Sequence, residues 1–285
     1  MKIITTCSEM TNYSQGARSR GSTIGLVPTM GALHDGHLSL VKIASQHCDC
    51  RVMSIFVNPT QFGPSEDLDK YPRQLKRDCE LAEAAGCDAV FAPSPQEIYP
   101  DNYNTYVNVE NITGVLCGAS RPIHFRGVAT VVLKLFNIVM PHTAVFGSKD
   151  AQQVIVIKRM AEDLNLSVQI IAAPIIREAD GLAMSSRNVY LSTQERAEAV
   201  LINRALMSAQ KLYDAGERSC QSIKDSAKSI LSEGRLISAE YIEIVDTTLL
   251  KSLDKINCLA LLAVACRTAE TGTRLIDNVV LGGDL

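Results

Sequence analysis

Along the first two-thirds of the chain, short apolar blocks alternate with stretches of helical periodicity. Thr23 to Val27 is a β-type run, and a turn carrying Pro28, Gly31 and Gly36 follows it. Leu38, Val41 and Ala44 then recur as on one face of a helix. Arg51 to Val57 reads as a buried strand, and a Pro/Gly-rich loop leads on to Tyr71-Pro72-Arg73. Leu75, Cys79 and Ala82 mark one face of a helix that Gly86 stops. Ala89 to Ala92 predicts a strand, Ser94-Pro95 the start of a turn or short helix, and Tyr106 to Val109 an alternating strand. Next come a strongly apolar helix (Val128 to Val139), a strand (Ala144 to Phe146), a helix (Ala151 to Leu164) and a strand (Val168 to Ala172). Strands alternating with helices predict βαβ units, hence an α/β protein whose N-terminal domain is a Rossmann-like parallel sheet.

The polar, glycine-containing stretch Ile176 to Asn188 interrupts this pattern. Beyond it, Ser192-Thr193-Gln194-Glu195 matches a capping box and opens a long helix towards Ala215-Gly216. A second helix near Gln221 to Ser232 precedes strands near Tyr241 to Val245, Leu259 to Ala265 and Leu275 to Val280. Helix, helix, strand, strand, strand predicts a smaller α+β domain. The expected division is 1–176, a catalytic domain for nucleotide and substrate, and 177–285, a C-terminal lid. There is no internal repeat and no low-complexity segment.

Composition narrows the function classes. A chain of 285 residues suits one large or two smaller domains, and 46% hydrophobic residues suffice for a sizeable core. A net charge of −3 gives no global basic field, so no nucleic-acid partner is expected. Met1 to Gly21 is polar and lacks the apolar core of a signal peptide. The apolar run Leu259 to Cys266 is far too short to span a bilayer, so no membrane association is expected either. Nine cysteines form no framework spacing, and Cys48-Asp49-Cys50 is not a CxxC pair. Reduced, mostly buried thiols in a cytoplasmic protein are the plain reading.

The candidate chemistry begins at Val27-Pro28-Thr29-Met30-Gly31-Ala32-Leu33-His34-Asp35-Gly36-His37. His34 and His37 fall where a glycine-punctuated loop meets the first turn of a helix. Its unpaired N–H groups and positive macrodipole end favour an anion, so two imidazoles there suit a phosphate gaining charge. The histidines alternatively cap and pack the turn. Zinc ligation lacks a third ligand at the usual spacing, and no metal site in the protein is expected. Phe146-Gly147-Ser148-Lys149-Asp150-Ala151-Gln152-Gln153 repeats the strand, glycine, helix order. Lys149 there can reach a triphosphate as a point charge or be a solvated surface charge. Asp150 can meet a ribose hydroxyl or cap the helix, and Gln153, about one turn on, can face the same crevice. In a parallel sheet, ligands bind beyond the carboxyl ends of the strands. One crevice can therefore collect His34, His37, Asn58, Gln61, Lys149 and Asp150. Asp180-Gly181-Leu182-Ala183-Met184-Ser185-Ser186-Arg187-Asn188 offers two hydroxyls and a guanidinium on a loop with a hinge at Asp180-Gly181. It can close over phosphate oxygens or be a plain interdomain linker.

Together these motifs resemble the nucleotidylyltransferase superfamily, in which HxGH and KMSKS-type segments bind ATP. More specifically they resemble the pantoate–β-alanine ligase (pantothenate synthetase) family. The resemblance runs through Val27 to His37, Phe56-Val57-Asn58-Pro59 with Gln61-Phe62, Tyr71-Pro72-Arg73, and Arg121-Pro122 with His124-Phe125. It continues through Phe146-Gly147 with Lys149-Asp150, Asp180 to Asn188 and Leu275-Ile276-Asp277-Asn278, nearly the whole chain. Ser148 stands where the family commonly has Glu, and Ile123 where it commonly has Gly.

The resemblance implies that ATP and (R)-pantoate give a pantoyl-adenylate and pyrophosphate, and that β-alanine then displaces AMP to give pantothenate, a step of coenzyme A biosynthesis. It implies catalytic roles for His37, His34, Lys149, Ser185, Ser186 and Arg187. ATP contacts are implied from Met30, Gly31, His34, Gly36, His37, Gly147, Lys149, Asp150, Ile176, Met184, Ser185, Ser186 and Arg187. Gln61, Gln153, Asn58, Tyr71 and Arg121 are implied contacts for pantoate or β-alanine. Mg²⁺ bound mainly through the ATP phosphates and a homodimer are also implied. Of the rivals, a cytidylyltransferase acting on a phosphorylated acceptor would want a basic pocket where Gln61, Gln153 and Asn58 are neutral. A non-catalytic nucleotide-binding module has little need of His34, His37, Lys149 and Arg187 together. A dehydrogenase lacks its GxGxxG after the first strand.

Overall fold

Ile24, Leu26 and Val27 are fully buried because β2 (Ile24–Thr29) runs in the interior of a six-stranded parallel sheet. The computed structural model describes residues 1–64 and 66–285, so Ser65 lies outside the described residues. The chain divides into two compact units. The first comprises Met1–Gly114, Gly118–Gly147 and Gln153–Pro174, and the second Val115–Cys117, Ser148–Gln152 and Ile175–Leu285.

In the first unit the chain order is β1 (Lys2–Ile4), α1 (Cys7–Ser19), β2, α2 (Asp35–Ala44), β3 (Cys50–Ile55), α3 (Leu75–Ala84), β4 (Ala89–Phe91) and α4 (Pro95–Ile98). The short α5 (Cys117–Ser120), α6 (His124–Val139), β5 (Thr143–Gly147), α7 (Ala151–Asp163) and β6 (Gln169–Ala173) follow, with Cys117, Ala151 and Gln152 counted in the second unit. Spatial order is β1-β4-β3-β2-β5-β6, with parallel pairing throughout. Side chains alternate across a strand, so Val27, Met53, Val90 and Val145 face one core with Leu40, Val41 and Ala44 of α2 and Cys79 and Ala82 of α3. Leu26, Val52, Ala89 and Ala144 are fully buried on the opposite face. Burial on both faces is what makes these strands near-continuous apolar runs. The order reverses at β2, between β3 and β5, and such switch points open a ligand crevice at the carboxyl ends.

At four points the structure adds to or corrects the sequence reading of this unit. The polar N-terminus forms β1, which pairs with β4, and α1, capped by the Thr6 side chain. Residues 106–109 join neither sheet: the Val107 N–H donates to Thr130 Oγ1 of α6 (2.9 Å), and the Arg126 guanidinium lies 3.9 Å over the Tyr106 ring. Leu75 lies on the face of Cys79 and Ala82 but, as the first residue of α3, is 45% exposed. Helix α6 begins four residues before Val128, at His124.

In the second unit, α8 (Thr193–Glu198), α9 (Val200–Asp214) and α10 (Cys220–Leu231) precede β7 (Ile237–Asp246), β8 (Ala260–Thr268) and β9 (Arg274–Leu281), an antiparallel sheet in that order. Leu201, Ile202, Leu206, Ile223, Leu262 and Val264 fill its core. The capping box at Ser192 and Glu195 is formed. The single long helix expected from it is α8 plus α9. Ala199 keeps helical angles, but Ile202 N donates to Ala199 O at 3.2 Å, so the interruption is a local tightening of the helix. All nine cysteines are free thiols, and burial pushes Cys48 up to about 11 and Cys87 up to about 12. No helix among the described residues is long and apolar enough to cross a membrane.

Candidate active site

The HxGH loop leaves β2 through Thr29, whose hydroxyl donates to Ser54 O (2.7 Å) and accepts from Gly31 N (3.2 Å). Gly31 has φ +85°, where an added Cβ would also lie 2.8 Å from Asp78 Oδ2. That carboxylate, on α3 and 2% exposed, is the loop's anchor. Its Oδ2 accepts from Ala32 N and its Oδ1 from Leu33 N, both at 2.9 Å. Asp78→Ala strands those two backbone donors, and a loss of about 2–4 kcal/mol of stability is expected in urea unfolding.

The anchored loop delivers His34 as the N-cap of α2, its Nδ1 accepting from Gly36 N at 3.1 Å. With Nδ1 accepting, the neutral imidazole carries its proton on Nε2 and is a donor there. His37 is the third residue of the helix, its ring centroid 4.1 Å from that of His34. Both histidines are half-buried. The pair therefore sits at the positive end of α2, beside N–H groups that no helical carbonyl satisfies.

Met30, Gln61 and Asn58 meet in the same unit. Gln61 Nε2 donates to Met30 Sδ (3.1 Å) and Gln61 Oε1 accepts from Asn58 Nδ2 (3.0 Å). Asn58 is almost fully buried: Nδ2 also donates to Gly127 O, and Oδ1 accepts from the Thr60 and Tyr99 hydroxyls (2.9 Å each). Helix α6 reaches the turn Pro59–Gln61 so closely that a Cβ on Gly127 would lie 2.5 Å from Thr60 O and 2.6 Å from Gln61 Cα. On the other side of Gln61, its carbonyl accepts from His124 Nδ1 (3.0 Å) and Arg121 (3.4 Å).

Arg121 is itself ion-paired with Glu66, through Nε to Oε1 at 2.9 Å and a second N–H to Oε2. Burial works to raise the Glu66 carboxyl, but the Arg121 hydrogen bond and charge outweigh it and hold it below its ordinary value. Tyr71 is buried edge-on to Phe62, with ring centroids 6.2 Å apart. Gln153 is half-buried in the first turn of α7. Ile123 stands at the N-cap of α6 with φ −92°, so the backbone there needs no glycine.

In the second unit, Ser148–Asp150 forms one turn of 3-10 helix directly after Gly147, with Lys149 half-buried and Asp150 exposed. The second loop opens on a hydrogen-bonded hairpin. Arg177 bridges Ala183, and Ile176 O accepts from Met184 N (3.0 Å). Asp180 pairs with Arg196 (2.7 Å) and accepts from Leu182 N, and these bonds hold its carboxyl below the usual range. Gly181 (φ +97°) abuts the Asn203 amide, so Asp180-Gly181 is a tight turn with no room for a side chain at Gly181. Asn188 Nδ2 donates to Glu178 Oε1 (2.7 Å) and closes the hairpin from the far side. Met184 to Arg187 are half-buried, and the Ser185 hydroxyl accepts from Arg187 N (3.2 Å) to start the turn Ser186–Tyr190. Asp78, Gly127, His124 and Glu66 escaped the sequence reading as site-builders. Only His124-Phe125, inside a recognised motif, carried a signal.

Among the described residues no three His, Cys, Asp or Glu side chains converge as a metal-binding group. A model of the family described as pantoate-beta-alanine ligase matches residues 2–280. The chain is 55% identical over 281 residues to the pantothenate synthetase of Acetivibrio thermocellus, covering 99% of each, and 54% identical over 282 residues to that of Geobacter sulfurreducens, again covering 99% of each. Among solved structures it is similar to pantothenate synthetase from Thermus thermophilus (TM-score 0.92, 41% identity, 98% of this chain and 99% of that one). It is likewise similar to the pantoate-beta-alanine ligase of Francisella tularensis complexed with beta-gamma ATP and beta-alanine (TM-score 0.81, 33% identity, 100% and 99% covered).

Proposed function

The chain belongs to the pantoate-beta-alanine ligase family, and on that premise we propose that it condenses (R)-pantoate with β-alanine, using ATP and releasing AMP and pyrophosphate. The observation that carries this reading is the imidazole pair fixed at the N-terminus of α2 by the Asp78-anchored loop. A pantoate carboxylate oxygen attacks the α-phosphorus, the bond to the β-phosphate oxygen breaks, and pyrophosphate leaves. The amine nitrogen of β-alanine then attacks the acyl carbon and loses a proton. The bond from that carbon to the phosphate oxygen breaks, and AMP leaves. Neither step needs a covalent enzyme intermediate, so positioned donors carry the catalysis.

His34 and His37 contact the phosphates, His37 donating to the leaving pyrophosphate. Lys149 holds phosphate oxygens, and Ser185, Ser186 and Arg187 bind them through hydroxyls and a guanidinium. Met30, Gly31, Gly36, Gly147, Asp150, Ile176 and Met184 form the remaining ATP contacts. Gln61 and Gln153 orient pantoate through its hydroxyl and carboxylate oxygens. Asn58, whose amide fixes Gln61, and Tyr71 support them. An acid arriving at Arg121 meets a guanidinium already engaged by Glu66. The catalytic role falls to 1–176 and the lid role to 177–285. Mg²⁺, held mainly by ATP and not by the protein, would offset the phosphate charge. The ligands named for the Francisella structure, beta-gamma ATP and beta-alanine, support both halves of this scheme. The working protein is a cytoplasmic homodimer.

The test is to mix the enzyme with Mg-ATP and pantoate, omitting the amine. One pantoyl-adenylate per active site, with AMP as the nucleotide product once β-alanine is added, is the expected result. ADP and free phosphate would refute the scheme.

A further inference from the structure

Leu275-Ile276-Asp277-Asn278 is left without a task by this scheme, yet two of its members are polar and almost completely buried, Asp277 at 3% and Asn278 at 4% exposure. They are neighbours in the middle of β9, paired with Val264 and Ala263 of β8, so their side chains leave opposite faces of the sheet. On one face the Asp277 carboxylate receives both arms of Arg177, NH1 to Oδ2 at 2.6 Å and NH2 to Oδ1 at 3.1 Å. The same guanidinium donates to Gly181 O (3.1 Å), tying the base of the hairpin to its tip. On the other face the Asn278 amide donates to two successive carbonyls, Ser148 O at 2.8 Å and Lys149 O at 2.9 Å. The Asn278 N–H in turn donates to Asp277 Oδ1 (2.8 Å), so the two residues are locked to each other.

We propose that Asp277 and Asn278 are positioning residues that set Lys149 and the Met184–Arg187 loop in register on one strand. The inference rests on the phosphate-binding roles given above to Lys149 and that loop. A single amide bridging two consecutive carbonyls fixes the peptide plane between them, and with it the direction in which the Lys149 side chain departs. A bidentate Arg–carboxylate pair fixes orientation as well as distance. One strand thereby holds two cationic segments that lie far apart along the chain. Ser148 contributes only its carbonyl to this contact, which is why a departure from the family's usual glutamate leaves it intact.

The test is a double-mutant cycle on single-turnover adenylation with pantoate and Mg-ATP, each protein first checked for a native melting transition. Asn278→Ala is expected to slow adenylation 10- to 100-fold, roughly the scale of a displaced catalytic group. Lys149→Ala is expected to slow it about 10²–10³-fold. Because Asn278 acts through Lys149, the double variant should be no slower than Lys149→Ala alone, within about threefold. Losses that multiply would overturn the proposal. So would a normal rate in Asn278→Ala beside a crippled Lys149→Ala, which leaves the phosphate role of Lys149 standing. A normal rate in Lys149→Ala instead removes that role and the proposal with it. Should Asn278→Ala not fold, Asn278→Asp replaces it in the cycle, keeping the shape but having no N–H to donate, with the same coupling expected.

Discussion

His37→Ala should lower the rate of adenylate formation by roughly 10²–10³ while changing the affinity for a non-hydrolysable ATP analogue far less. The expectation comes from the geometry of the two imidazoles. His34 commits Nδ1 to the Gly36 N–H, so part of its role is capping α2. His34→Ala therefore costs about 1 kcal/mol of stability as well as rate. His37 lies inside the helix, past the capping position, and alanine there favours the helix. What the substitution removes is a donor held in place by a fixed turn, and that is worth most where charge develops as pyrophosphate departs. The ground-state triphosphate already enjoys the helix N-terminus, so binding changes less. Rapid-quench measurement of pyrophosphate release without β-alanine separates this step from amide formation. A normal rate in that assay would return His37 to turn packing.

The contrast between His37 and Asp78 shows where sequence reading reaches and where it stops. The HxGH loop was legible because its signal is local: an apolar run, a turn with Gly31 and Gly36, then helical periodicity. Asp78 holds that same loop from 46 positions away in sequence. In one dimension it is a charged residue beside Arg77 that shares the helical face of Cys79 and Ala82, and nothing local tells a buried carboxylate there from a solvated one. Gly127 is invisible for the same reason, since its need for a hydrogen side chain comes from the turn Pro59–Gln61 lying against it. Arg121 was recognised as a cation, but its partner Glu66 sits in an aperiodic loop that no pattern orients. Strands fared well where both faces are buried and poorly where exposed polar residues alternate. β7 starts at Ile237, four residues before Tyr241, and the exposed run Ser238-Ala239-Glu240 carries no apolar signal to mark that start. Asp277 and Asn278 stood inside a recognised motif, yet only the third dimension gives them partners.

Glu195 is the position where a local signal proved to be half of a longer one. Its capping box with Ser192 is formed as the sequence predicts, with Ser192 N donating to Oε2 at 3.1 Å. The carboxylate is also fully buried and accepts from Glu270 N (2.8 Å), Thr271 N (2.9 Å) and the Thr271 hydroxyl (2.8 Å). Burial by itself would raise this carboxyl, but the N–H groups of Thr271, Ser192 and Glu270 and the Thr271 hydroxyl bring it down to about 2. One side chain thus stops the start of α8 from fraying and holds the turn between β8 and β9. Glu195→Ala is expected to destabilise the protein by about 2–4 kcal/mol, since the donors lose their acceptor and the helix loses its box. The pH dependence carries a sign that a packing defect would not. A carboxyl whose folded value lies below its unfolded value of 4.5 binds protons first in the unfolded chain. Its stabilisation is complete above pH 4.5 and is lost as pH falls through 4.5 towards 2. Urea unfolding of wild type and Glu195→Gln across that window should therefore show their stability difference shrinking steadily with acid. A difference that stays constant from about pH 7 down to about pH 2.5 would mean that Glu195 contributes through shape alone.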